Sequence, residues 1–109
     1  MASNIDLLRG TLDLLVLHAV NLESNHGLGI ASHIGDLTRQ TFHVKPGSLF
    51  PALHRLEAKG WLGSSWGKSK NNRRAKFYKL TESGREQLKE ATRNWNRVSI
   101  AMSRALRTK

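Results

Sequence analysis

The densest cluster of residues that could do chemistry is a run of basic side chains between positions 68 and 79. Its members, with no acidic residue among them, are Lys68, Lys70, Arg73, Arg74, Lys76 and Lys79. Ammonium and guanidinium groups bind phosphate oxygens through charge-assisted hydrogen bonds, so this segment is suited to a nucleic-acid backbone. The same run is also compatible with a solvated, self-repelling surface that binds nothing.

The whole chain shares this excess of positive charge. Its 109 residues include 18 Lys and Arg against 8 Asp and Glu, which gives a formal net charge of +10, and the sequence pI is about 11.0. Such a charge favours polyanionic partners. An anionic membrane surface is the rival to nucleic acid, but the sequence has no apolar run of about 18 residues, no signal-peptide pattern and no lipidation motif. We therefore expect a soluble cytoplasmic protein.

Catalytic and metal-binding patterns are missing from the sequence. There is no HExxH, Walker A or Gly-x-Ser-x-Gly motif, and Gly27-Leu28-Gly29 lacks the third glycine of a dinucleotide site. The absence of cysteine excludes disulfides, thiolate metal sites and cysteine nucleophiles. The five histidines are not spaced as a local ligand cluster. We expect no enzyme and no cofactor, while a metal site assembled between two subunits stays a weak alternative.

Hydrophobic spacing predicts the helices that would position the basic run. The first would begin after Thr11 as N-cap, with Asp13 in its first turn, where the helix dipole favours a carboxylate. The third would begin near Pro46 and end before Gly60, a typical C-terminal glycine. The predicted helices cover residues 12–22, 28–37 and 46–59 and a long segment after Thr81 as N-cap.

The third predicted helix has two faces of different character. One is an apolar stripe of Leu49, Ala52, Leu53 and Leu56. The other would be exposed, and its candidates for contacts with DNA base edges in the major groove are Ser48, Phe50, His54 and Arg55. Each has a second interpretation: a helix cap for the serine, packing against the second helix for the phenylalanine, and a phosphate contact for the histidine or the arginine.

A β-hairpin is predicted around the basic loop. Its strands cover residues 61–66 and 75–80, with Asn71-Asn72 as turn residues. Trp61, Trp66 and Tyr78 are expected to pack as core beneath this hairpin. Three helices followed by a hairpin predict a mainly α fold (α+β), a winged helix-turn-helix domain with a long C-terminal dimerisation helix.

The last predicted helix has apolar residues at alternating spacings of three and four. This heptad-like seam consists of Leu88, Ala91, Trp95, Val98, Met102 and Ala105. Such a seam needs a surface to bury it, which favours a dimer contact, although packing on its own domain is the alternative. Trp95 would then be plain interface packing or, less simply, the wall of a pocket for a small aromatic ligand.

Four stretches of the sequence resemble the PadR family of regulators. LRGTLDLLVL at residues 8–17 is similar to their opening helix, and PGSLFPALHRLE at 46–57 is similar to their recognition helix. GWL at 60–62 shares the resemblance to the recognition helix, and NRRAKFYKLT at 72–81 is similar to their wing running into the final helix. The resemblance implies a homodimeric winged-helix repressor of the kind that is often released from its operator DNA by a small molecule, with the last helix as the principal dimerisation element.

The resemblance also assigns site residues by position. The groove-facing positions are Ser48, Phe50, His54 and Arg55, and the wing positions are Lys70, Arg73 and Arg74. The family commonly has tyrosine where this chain has Phe50.

Two nucleic-acid-binding functions follow from these observations, beside a third alternative, a ligand-binding or enzymatic dimer whose charge is incidental. The first is a sequence-specific repressor acting as a homodimer on a palindromic operator, with residues 1–80 as the DNA-binding region and 81–109 as the dimerisation helix of a single compact domain. The second is a basic architectural protein that binds nucleic acid without reading its sequence.

Overall fold

The computed structural model describes residues 9–107, and its side chains from residue 10 onward. The sequence predicted two regions, residues 1–80 and 81–109. Residues 1–8 of the first region and 108–109 of the second lie outside the described residues. In chain order, the elements are α1 (Arg9–Leu22), β1 (Asn25–His26), α2 (Gly27–Leu37), α3 (Pro46–Ala58), β2 (Leu62–Lys68), β3 (Arg74–Leu80) and α4 (Glu82–Arg107). The predicted fold class is confirmed: within residues 9–107, four helices, the last one long, pack with a small antiparallel sheet.

The sheet has three strands rather than the predicted two, in the order β1-β3-β2. Asn25 pairs with Tyr78 and His26 pairs with Phe77. These two residues lie between the first two predicted helices, where no strand was expected, because a strand of two residues has no hydrophobic alternation of its own.

The start of α1 differs from the prediction. Because the helix begins at Arg9, Thr11 lies inside it and is not the N-cap, and Asp13 is not in the first turn. In contrast, the end of α3 agrees with the sequence: Gly60 has a φ of +80°, and the Trp61 amide donates to the Leu56 carbonyl at 3.0 Å. This is the Schellman arrangement that glycine permits.

The core lies where α1, α2 and α3 meet. The predicted stripe of α3 is fully buried there, and Val16, Leu17, Ile30 and Ile34 pack against it. The hairpin closes one side of this core with three further apolar residues, and α4 contributes Leu88. The hairpin residues are Leu62, Tyr78 and Leu80.

The hairpin formed by β2 and β3 reaches well beyond the core. Lys68 pairs with Arg74 at its far end, and the Ser69 amide donates to the Arg73 carbonyl at 2.8 Å to close the loop. Asn72 takes a positive φ of 60° in this loop, a conformation that asparagine tolerates and that fits its predicted turn role. The expected packing of Trp66 beneath the hairpin is wrong, because its side chain is 60% exposed.

The predicted cap of α4 is confirmed. Thr81 Oγ1 accepts a hydrogen bond from the Gly84 amide at 3.0 Å. The helix has 26 residues and is roughly 39 Å long at 1.5 Å per residue. No helix within residues 9–107 combines the length and the apolar character needed to cross a membrane.

Candidate nucleic-acid interface

The basic side chains gather at the far end of the hairpin. Lys68, Lys70, Arg73 and Arg74 are all exposed there. Their backbone is held by the strand ladder on one side and by the loop hydrogen bonds on the other. Because these four cations lie on a narrow projecting element, they can contact a phosphate backbone while the core of the protein stays at a distance from it.

The outward face of α3 carries three of the four residues predicted to read DNA. Ser48, Phe50 and His54 are exposed. Ser48 is not a cap, since the helix begins at Pro46 and its N-cap position, Lys45, makes no side-chain capping hydrogen bond. The exposed hydroxyl of Ser48 and the exposed imidazole of His54 can therefore meet a DNA groove.

Phe50 combines both of its expected placements. Its side chain is 38% exposed, yet its ring also packs against the start of α2 at Gly27. A methyl group added at Gly27 would lie 2.7 Å from Phe50 Cε1. The ring thus fixes α3 against α2 and leaves one part of its surface open.

Arg55, the fourth predicted groove residue, lies elsewhere. Its Nη2 donates to Asp13 Oδ1 of α1 at 2.8 Å, and both side chains are mostly buried. Its Nε is buried with no hydrogen-bond partner among residues 9–107. The expected exposed placement of Arg55 is wrong because α1 supplies a carboxylate that no local pattern connects with α3.

Glu57 joins α3 to both strands of the hairpin. Its carboxylate accepts hydrogen bonds from the Ser64 hydroxyl of β2 and from Lys76 Nζ of β3, the latter at 3.0 Å. The bond from Ser64, followed by that from Lys76, holds the pKa of Glu57 below its ordinary value. The reciprocal bond to Glu57 raises the pKa of Lys76. Lys76 is therefore committed to α3 rather than to the basic tip.

Next to the contacts of Glu57, the side chain of Tyr78 in β3 is buried in the core, and this burial raises the pKa of its phenol. Lys76 Nζ lies 5.6 Å from the centre of the Tyr78 ring. Tyr78 is thus part of the core, as predicted, and its ring also lies next to the lysine that Glu57 binds.

A cleft of about 850 Å³ separates the basic tip from the start of α2. The tip contributes its four cations to the lining, while α2 and the residues before it contribute His26, His33, Glu23 and Asp36. His26 is engaged locally, because its Nδ1 accepts from the Gly29 amide at 3.2 Å and caps α2. Since both signs of charge line this cleft, the clearest cationic surface is the tip itself.

The seam predicted along α4 divides into two parts. Leu88 is buried in the core and Ala91 is half-buried against α1. From Trp95 onward, the seam is exposed, including Val98, Met102 and Ala105. Unlike Leu88, this second part is left largely uncovered by residues 9–107.

A groove of about 650 Å³ runs between α1 and α4 where the two parts of the seam meet. Leu14 and Leu17 line it from α1, and Trp95 and Val98 line it from α4. Asp13, the partner of Arg55, lines the same groove. In the part of the chain that the structure describes, no three His, Cys, Asp or Glu residues gather in a way that could hold a metal ion.

Comparison with known proteins identifies this arrangement. The transcriptional regulator PadR-like family matches residues 16–90, from the middle of α1 into α4. The chain belongs to this family. PadR-like proteins are transcription regulators that bind DNA, not enzymes.

Individual relatives agree with the PadR-like assignment. A transcriptional regulator of Mycobacterium tuberculosis is 35% identical over 85 residues, which are 78% of this chain and 76% of the relative. A PadR family regulator from Eggerthella lenta is similar in structure, with a TM-score of 0.77 and 28% identity over 93% of this chain and 86% of that one. A PadR-like regulator from Bacillus cereus gives 0.79 at 24% identity, covering 94% and 97%, and supports the shared fold.

Proposed function

We propose that this PadR-like regulator is a sequence-specific repressor that binds a palindromic operator as a homodimer. The observation that carries the proposal is that Glu57 joins α3 to the hairpin. A groove-reading helix and a basic wing must keep a fixed spacing to engage adjacent grooves of one duplex. The contacts of this one carboxylate supply such a spacing.

The proposed contacts divide into two kinds. Ser48, Phe50 and His54 on α3 meet base edges in the major groove, where each base pair presents a distinct pattern of donors and acceptors. The wing supplies phosphate contacts, which add affinity without reading sequence. The proposed phosphate-binding residues are Lys68, Lys70, Arg73 and Arg74. We assign Arg55 a positioning role, because Asp13 already occupies its guanidinium.

Dimerisation is proposed through the open part of the α4 seam. Trp95, Val98, Met102 and Ala105 are exposed at coiled-coil spacing on a helix that extends past the core. Residues 1–80 then form the DNA-binding region and 81–109 the dimerisation helix. Two copies would present two reading helices related by a two-fold axis, and we therefore propose a palindromic site.

Release by a small molecule is a second proposal, and it rests on the groove between α1 and α4. Its volume of about 650 Å³ lies in the usual range for ligand pockets, about 300–1,000 Å³. Trp95 offers a flat apolar wall for an aromatic ligand. Titration with flat aromatic compounds should quench Trp95 fluorescence in the Trp61→Phe variant and leave the Trp95→Phe variant unchanged.

Selection of binding sites from randomised duplex DNA tests the main proposal. We expect a two-fold symmetric consensus with half-site centres about 34 Å apart, one helical turn. Placing the selected site over a promoter should lower transcription in a purified system. Recovery of no consensus would instead favour the architectural protein that binds all duplexes alike.

A charge-matched pair of variants tests the wing. Arg73→Ala should weaken binding to every duplex and reduce the slope of log affinity against log salt by about 0.9, the value for one phosphate contact. Arg97→Ala removes the same charge from an exposed position on α4 and should leave the slope almost unchanged. Equal slopes for both variants would show that the net charge alone, and not the wing, binds DNA.

A further inference from the structure

The structure leaves one large aromatic side chain of the hairpin in an unusual place. Trp66 is 60% exposed, although it belongs to the same strand as buried Leu62. An indole is costly to leave in water, since its burial would contribute about 1.5–3 kcal/mol or more. A tryptophan kept outside the core is therefore a candidate for contact with a binding partner.

The strand register shows which side of the hairpin bears the indole. Residues two apart in a strand lie on one face, so Trp66 shares the face of Ser64, and it pairs directly with Lys76. Ser64 and Lys76 are the two residues that bind Glu57 of α3. Trp66 thus lies beside Lys76 and two residues beyond Ser64 toward the tip, on the side of the hairpin that faces α3.

The surroundings of Trp66 indicate the chemistry of what covers it. The Arg74 guanidinium lies over the ring, 4.3 Å from its centre, and the segment from residue 58 to 81 has no acidic residue. The surface is therefore aromatic and cationic at once. A second copy of this basic hairpin would be repelled, whereas duplex DNA offers phosphates for the arginine and, along its grooves, sugars and base edges for the indole.

We propose that Trp66 is a DNA-contacting residue of the wing. Its indole lies against the sugar and base surface of the groove beside α3, while Arg74, held over the ring, binds the adjoining phosphate. This inference rests on the proposed DNA-binding function and adds an apolar contact to a wing otherwise described by charge.

Salt-dependent binding to the selected duplex separates the indole from its arginine. Trp66→Ala should weaken binding about tenfold, equivalent to about 1.4 kcal/mol, with the salt slope unchanged because no phosphate contact is lost. Trp66→Phe should recover most of the affinity. Arg74→Ala should instead lower the slope by about 0.9. If Trp66→Ala keeps full affinity, or lowers the slope as Arg74→Ala does, the direct contact is overturned.

A spectroscopic measurement on the intact protein gives an independent answer. The chain has three tryptophans, so labelling with 5-fluorotryptophan should give three ¹⁹F signals, each assigned by the variant that removes it. Saturating duplex should shift the Trp66 signal most and leave Trp61 nearly unchanged, because Trp61 is half-buried under Lys59.

The controls keep the two proposals apart. Anisotropy of a labelled duplex reports binding in the same sample. A duplex that binds while the Trp66 signal stays fixed overturns the indole contact and leaves the proposed function standing. A protein that binds no duplex at all overturns both. Thermal unfolding of each variant checks that its fold is intact.

Discussion

Helices α3 and α4 have the same kind of sequence pattern, but their apolar faces differ in burial. Each carries an apolar stripe at helical spacing, but the stripe of α3 is fully buried by its own chain, whereas only Leu88 of the α4 seam is buried. Trp95, Val98 and Met102 stay exposed. Hydrophobic spacing thus establishes that a helix has an apolar face and leaves open which molecule covers it.

The polar contacts of the two helices differ in the same way. Arg55 and Glu57 link α3 to α1 and to the hairpin, across 42 and 19 positions of sequence. On α4, the ion pairs Glu86–Lys89 and Glu90–Arg93 each join residues three positions apart. The proposed reading helix is therefore positioned by its own chain, while the outer part of the α4 seam is exposed and is the proposed dimer contact.

The largest expected effect comes from opening the buried stripe of α3. Leu53→Ala removes a fully buried side chain and should lower the free energy of unfolding by about 2–5 kcal/mol. Its exposed neighbour provides the control, since His54→Ala should change stability by no more than about 0.5 kcal/mol. Urea unfolding at one fixed protein concentration measures both, because the proposed dimer would make stability depend on concentration. A small loss in Leu53→Ala would mean that α3 is less tightly packed than the structure shows.

The next effect concerns the open stripe of α4. Val98→Glu places a charge in the proposed dimer contact and should weaken dimerisation roughly a hundredfold, about 2.8 kcal/mol at 1.4 kcal/mol per factor of ten. Ile100→Glu is the matched control: Ile100 is as exposed as the seam residues, but two residues of helix turn it to the opposite side. Sedimentation equilibrium measures the dimerisation constant of both variants. Dimers weakened equally by the two substitutions would contradict a contact confined to the seam.

This contrast also shows which features of the structure could be predicted from the sequence. The buried stripe of α3, Gly60 as its end and the turn at Asn71-Asn72 follow from local rules of spacing and backbone conformation. The placements of Arg55 and Trp66 do not, because each depends on how separate elements pack. A helical wheel puts Arg55 at the border of the apolar stripe but cannot indicate that Asp13 lies beyond it. Strand alternation groups Trp66 with Leu62 but cannot show where the core ends.

A smaller effect should follow from cutting the link between α3 and α1. Asp13→Asn leaves the mostly buried Arg55 guanidinium without its carboxylate and should cost about 1–3 kcal/mol of stability. Glu86→Gln breaks an exposed pair on α4 and should cost less than about 1 kcal/mol.

The same link decides the role of Arg55 in DNA binding. If Arg55 positions α3, Arg55→Ala lowers operator affinity without changing its salt slope. A slope reduced by about 0.9 would instead make Arg55 a phosphate contact and restore the sequence-based interpretation.

The smallest effect is the pH dependence of the link between α3 and the hairpin. The folded pKa of Glu57 lies below its ordinary value of 4.5, so its stabilising contribution is fully present above that pH and is lost as pH falls through the lower, folded pKa. The charged hydrogen bonds are partly exposed, which limits the contribution to about 1 kcal/mol. The stability difference between the wild type and Glu57→Gln should therefore be constant near neutral pH and shrink below about pH 4.5. Glu90→Gln, which alters a pair within α4, should differ little from the wild type at neutral pH. A difference for Glu57→Gln that grows on acidification would mean that this carboxylate does not hold the hairpin against α3, and the fixed spacing of helix and wing would then need another cause.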